Sequence, residues 1–202
     1  MALLRIDELR EPEREDDDRQ RPPLLPAIAL DGGVRFIVGR HGTDLNALLP
    51  ELEPLMHYHL PTRGQWSLHE MLAFLLHRIG PADVWITSWG ISHDPLRHVL
   101  KLKESGAITS LNCFFDSRVV QECPLAHQLT LVDGIRVSLG KCHGKLLVLQ
   151  NKEWGITVTT SANLTENPRW ENYVISTHQV LATWTRDLIE TEMDRGNAFS
   201  AL

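Results

Sequence analysis

His143 and Lys145 stand two apart at the head of an apolar run, Leu146-Leu147-Val148-Leu149. Side chains two apart on a strand share a face, so an imidazole and an ammonium project side by side. A second apolar run, Gly155-Ile156-Thr157-Val158-Thr159, leads into Ser161 and Asn163, again two apart. The polar residues 150–155 between the runs end in Gly and suit a hairpin. Two adjacent strand ends would then gather an imidazole, an ammonium, a hydroxyl and a carboxamide at one edge of a sheet. Such a set handles phosphate. Phosphodiester cleavage needs a nucleophile, a proton for the leaving oxygen, and donors aimed at the non-bridging oxygens as charge builds. Neutral imidazole supplies the first, Lys145 a fixed positive charge, and Asn163 amide N–H donors. A carboxylate is also needed to hold the imidazole in one tautomer, and Glu171 is the candidate.

His143-Gly144-Lys145, followed by Ser161-Ala162-Asn163-Leu164-Thr165 and Glu171, resembles the HKD motif of the phospholipase D superfamily. The usual form is H-x-K-x4-D-x6-G-S-x-N with a glutamate beyond. The motif's aspartate falls on Gln150, its glycine on Thr160, and the gap from His143 to Ser161 is longer, the extra residues being expected in the hairpin. The aspartate is mainly a structural member of the motif, so its replacement removes no reacting group. The resemblance implies metal-independent chemistry with two histidines: one attacks phosphorus to give a phosphohistidine and the other protonates the leaving oxygen. Only one HxK is present, so the resemblance implies a C2 homodimer with the active site across the axis. In that scheme His143 is nucleophile in one copy and general acid in the other. Lys145 and Asn163 clamp the phosphoryl oxygens, Ser161 positions them, and Glu171 orients the imidazole. No cofactor is implied.

The 202 residues, 43% apolar and 23% charged, suit one soluble globular domain with a tail. No apolar run approaches bilayer length, no signal peptide is evident at the start, and Cys113, Cys123 and Cys142 lack CxxC spacing, which fits free thiols in a reducing, cytoplasmic setting. Net charge is −6, unhelpful at first sight for a nucleic-acid partner. The acidic excess, however, is concentrated between Glu11 and Asp18, whereas Arg136, Lys141, Lys145, Lys152 and Arg169 surround the motif. A local basic patch binds phosphates even on an acidic protein.

Residues 1–30, charge-dense and rich in proline, read as a poorly ordered arm, and residues 31–202 as the catalytic domain. A strand is expected over 34–38, then a short helix and irregular chain over 45–60, which Pro50, Pro54 and Pro61 interrupt. Ser67 and Glu70 form a capping box for a helix running to Ile79. Strand 82–89, helix 94–104 and strand 107–115 make a βαβ unit with parallel strands. A further helix is expected within 117–131, strands over 135–139 and 172–176, and a closing amphipathic helix over 179–193. The expected fold is α/β, an α/β/α layering of one mixed, largely parallel sheet.

Small single-motif members of the superfamily are commonly nucleases, and the chain is similar to short phospholipase D-like proteins of bacterial and phage genomes. DNA or RNA cleavage is therefore the leading expectation. Lys141, Arg169 and Trp170 are candidate substrate contacts, and Trp89 and Trp154 are further candidates for stacking on bases; Trp85, within an apolar strand, reads as core. With Gln150 at the motif's acidic position, a non-catalytic nucleic-acid-binding or assembly module is the alternative. A phospholipase or phosphatidyl transferase is a third reading.

Overall fold

The computed structural model describes residues 28–38, 44–123, 135–166 and 169–198. Most of the expected arm, and the expected helix beyond Cys123, lie outside those residues.

Among the described residues nine strands form one sheet in the order β1-β2-β8-β7-β6-β3-β4-β5-β9. They are β1 (Gly33–Phe36), β2 (Met56–Arg63), β3 (Ala82–Ser88), β4 (Ile108–Asp116), β5 (Ile135–Gly140), β6 (Leu146–Gln150), β7 (Gly155–Thr160), β8 (Trp170–Ser176) and β9 (Asn197–Ala198). Five helices among the described residues accompany them: α1 (Leu45–Leu48), α2 (Leu68–Ile79), α3 (His93–Glu104), α4 (Val119–Glu122) and α5 (Gln179–Arg195).

On one face of the sheet, Tyr58, Leu60, Val84, Ile86, Leu147, Leu149, Ile156, Val158, Tyr173 and Ile175 form a core with Met71, Leu72 and Leu75 of α2 and Leu96 and Val99 of α3. On the other, Trp85, Phe114 and Val148 pack with Ala182, Ile189 and Met193 of α5. The alternation of these side chains along each strand is what lets both faces be covered. The expected α/β/α layering is present. Trp85 is core, as its strand setting implies, and its Nε1–H donates to Glu190 at 2.5 Å.

Helix α2 starts as its sequence dictates, with Glu70 accepting from the Ser67 backbone N–H at 2.8 Å and from its hydroxyl at 2.7 Å. The turn after α3 needs a positive φ of 79°, which Gly106 supplies. β3, β4 and β5 are mutually parallel, and β3–α3–β4 is the expected βαβ unit.

Two expectations need amending. The sheet is mixed, but antiparallel pairing predominates: β2·β8, β3·β6, β5·β9, β6·β7 and β7·β8 are antiparallel, against parallel β1·β2, β3·β4 and β4·β5. The connection from β6 to β7 is too short for a crossover, so it dictates a hairpin. The chain before Leu60 is also not irregular throughout, because Met56–Arg63 is a strand between β1 and β8. Pro61 is tolerated there because β1 ends opposite His59, leaving that side of β2 unpaired among the described residues.

Among the described residues no helix is long and apolar enough to cross a membrane.

Candidate active site

The β6–β7 hairpin is set by its turn. Asn151 donates its N–H to Trp154 O at 2.9 Å, and its Oδ1 accepts from the backbone N–H groups of Glu153 and Trp154 at 3.0 and 2.8 Å. The asparagine thus mimics a backbone turn with its own side chain. Its Nδ2 also donates to Ile79 O at 2.9 Å, anchoring the turn against the end of α2. From Gln150↔Gly155 the ladder runs to Leu146↔Thr159, and the Thr160 N–H donates to Lys145 O at 3.1 Å one step further on.

That last bond carries the pairing to the motif. Lys145 Nζ lies 3.4 Å from His143 Nδ1 and donates to His143 O at 2.7 Å. The two side chains therefore meet as the i, i+2 spacing predicts, and His143 is exposed. Burial of the Lys145 ammonium pulls its pKa below the usual lysine range, while the charges of Cys142 and Glu171 act in the opposite sense.

On the β7 side, the Ser161 hydroxyl donates to the Glu171 carboxylate and accepts the Asn172 N–H at 3.0 Å. Glu171 is buried in β8, opposite Thr62 of β2. The structure joins Glu171 by hydrogen bond to Ser161 and by charge to Lys145. Asn163 is half-buried, and its Oδ1 is buried without a hydrogen-bond partner among the described residues. Its carboxamide faces Gly90 closely enough that a Cβ there would lie 3.9 Å from Nδ2.

Asn163 is held through Ser88, whose buried hydroxyl donates to Gly90 O at 2.6 Å and accepts the Leu164 N–H at 2.9 Å. The Ser92 N–H then donates to Leu164 O at 3.0 Å. The loops after β3 and β7 are thereby tied across β6, which lies between those strands.

Three residues at these strand ends escape the sequence reading or receive no defined place in it. Trp89, next after β3, stands edge-on to His143 with ring centroids 5.5 Å apart. Arg118 lies over the Trp89 ring at 4.1 Å, and Lys145 Nζ at 5.9 Å. Arg118 is fixed in turn by Asp116 at 2.8 Å, whose other oxygen accepts the Cys142 N–H at 3.3 Å. Burial tends to raise the Asp116 pKa, but the bonds from Arg118 and Cys142 outweigh it and leave the carboxyl below its ordinary range. The available signal is topological: ligands of such sheets gather at the carboxyl ends of the parallel strands; β3 ends one residue before Trp89 and β4 ends at Asp116.

The two departures from the motif have local explanations. Gln150 ends β6 at the far side from His143. Its Nε2 donates to Thr183 Oγ1 at 3.0 Å and its Oε1 accepts from Arg186 at 3.1 Å, so it ties the sheet to α5. Thr160 caps the chain reversal, its Oγ1 accepting the Ala162 N–H at 3.0 Å. Of the candidate substrate contacts, Lys141, Arg169 and Trp170 are all exposed. Arg63 approaches the Trp170 ring to 5.7 Å. Trp154 is partly buried against the core instead of facing the site.

No protein-family model and no curated protein sequence matches the chain. Among solved structures, NucT from Helicobacter pylori is similar over 63% of this chain and 90% of its own, at 16% identity and a TM-score of 0.53. Nuc from Salmonella typhimurium, a phospholipase D family member, is similar over 66% of this chain and 93% of its own, at 15% identity and a TM-score of 0.51. TrmBL2, an archaeal chromatin protein, is similar over 75% of this chain and 57% of its own, at 8% identity and a TM-score of 0.51. The mixed sheet with helices on both faces is similar in fold to NucT and to Nuc, the phospholipase D family member.

Proposed function

We propose that the protein is a phosphodiesterase that cleaves DNA or RNA through a phosphohistidine, at a site completed by a second copy of the chain. The carrying observation is the exposed His143 with Lys145 Nζ at 3.4 Å, at the same strand ends as Ser161 and Asn163. His143 of one copy attacks phosphorus, forming an N–P bond as the P–O bond breaks. His143 of the other copy gives its proton to the leaving oxygen, then removes one from the water that hydrolyses the N–P bond. Lys145 and the Asn163 amide stabilise the charge on the non-bridging oxygens. Ser161, held by Glu171, fixes the Asn163 end of the cradle. Lys141, Arg169 and Trp170 offer two cations and an aromatic face to flanking nucleotides.

A second reading, a module that binds nucleic acid without cutting it, draws on the likeness to TrmBL2, whose structure is described as a novel mode of DNA binding. The two readings separate in one experiment. Labelled single- and double-stranded DNA and RNA are incubated with wild type and His143→Ala in excess EDTA. The proposal expects cleavage that survives chelation, disappears in the variant and leaves binding in place. Binding of any polymer without cleavage by the wild type overturns it in favour of the second reading.

A further inference from the structure

The phosphate-handling groups have a neighbour on the α5 side of the sheet. A cleft of about 310 Å³ opens between α5 and residues 141–144, with His143, Gly144 and Lys141 at its mouth. Phe114, Leu146, Leu188 and Ile189 form apolar walls, and Glu192, one of whose carboxylate oxygens accepts from Arg195 at 3.1 Å, lines the cleft beside them. Ile189 and Phe114 are buried and Leu146 and Leu188 half-buried, so the walls belong to a packed scaffold. Thr87, also in the lining, spends its hydroxyl oxygen on the Leu146 N–H at 3.0 Å and so reinforces the wall.

We propose that this cleft is a nucleoside subsite, taking the base of a nucleotide that flanks the scissile phosphate. The proposal rests on the phosphodiesterase reading and adds the substrate class. Apolar walls with one polar group suit a flat heteroaromatic ring, which stacks on either face and hydrogen-bonds at its edge. A carboxylate among the walls accepts from exocyclic amino groups, as acidic side chains do from cytosine. Lys141 at the mouth suits the phosphate that follows the base. The volume is at the small end of ligand sites, roughly 300 Å³ and upwards, which fits one nucleoside and not a lipid tail pair.

The test compares hydrolysis of 5′- and 3′-(p-nitrophenyl phosphate) diesters of 2′-deoxycytidine with that of methyl p-nitrophenyl phosphate. Calorimetry of d(CpC) and of dimethyl phosphate runs beside it. Wild type is set against Leu188→Trp, which fills the cleft, and Glu192→Leu, a milder change on a half-buried helix position; circular dichroism confirms folding of each. One of the nucleoside esters should exceed the methyl ester in kcat/KM by about tenfold or more, and both variants should bring the ratio towards one. Equal rates for all three esters, or a ratio that survives both folded variants, overturns the subsite and leaves the phosphodiesterase reading intact. No hydrolysis, but d(CpC) binding that the variants abolish, upholds the subsite and overturns cleavage. Neither hydrolysis nor binding of d(CpC) overturns both.

Discussion

The glutamine at the motif's acidic position is the sharpest place to test whether the departures from the motif touch the chemistry. Gln150 lies five residues from Lys145 along one extended chain, about 16 Å at the rise of a strand. Gln150→Ala deletes the donor to Thr183 and the acceptor for Arg186. A neutral buried hydrogen bond contributes about 1 kcal/mol. The Arg186 bond is worth less than its charge suggests, since that side chain is 34% exposed and keeps its pairing with Asp187. With the lost burial of the side-chain stem, the destabilisation is about 2 kcal/mol in all. For a chain of this size that lowers the melting temperature by about 4–8 °C. Melting followed by circular dichroism, and kcat on a chromogenic phosphodiester at 25 °C, separate the two effects. The expected outcome is a lowered melting temperature with kcat within about twofold of wild type. An unchanged melting temperature with a large fall in kcat would refute the structural role given to this position.

Three further predictions concern the site itself. Lys145→Met should lower kcat/KM by about 10²–10³-fold, the usual effect of removing one transition-state donor; in the wild type, activity should fall as pH rises through the depressed Lys145 pKa, below the ordinary 10.5. Glu171→Gln removes a charge that raises that pKa, so the alkaline limb of the pH–rate profile should move to lower pH, and an unmoved limb would show that Lys145 does not set it. Trp89→Ala should cost on the order of tenfold in kcat by freeing the His143 ring, with little effect on KM, and Trp89→Phe should restore most of it; equal losses in both variants would show that the aromatic wall is not what positions His143.

The parts of the site that lie close in the chain were legible in the sequence, because spacing of two along a strand and a short polar turn act locally. His143 with Lys145, and Ser161 one strand across, follow from those rules. The bond between Ser161 and Glu171 did not, because it depends on β8 aligning with β7, which no local spacing fixes. β2 was missed for a related reason. Pro61 within it and Pro54 just before it read as breakers, and only pairing with β8, more than a hundred residues away, makes Met56–Arg63 a strand. Trp89, Asp116 and Arg118 carry no motif. Trp89 meets His143, Arg118 meets Trp89 and Asp116 meets Arg118 because parallel strands end at the same sheet edge, which is a property of the fold and not of any one segment.

Ser88 gives the site an unusual kind of fragility. A hydroxyl has a single proton, and this one is committed to Gly90 O, so the Leu164 N–H must use the lone pairs that remain. The polarity of the link is therefore fixed, and no apolar or purely accepting side chain can replace it. Drift in the two loops can be absorbed as long as their backbones keep meeting that oxygen. Loss of the one hydroxyl would instead release the tryptophan side and the asparagine side together. In mutational terms, two loops that look independent in the chain share one point of failure.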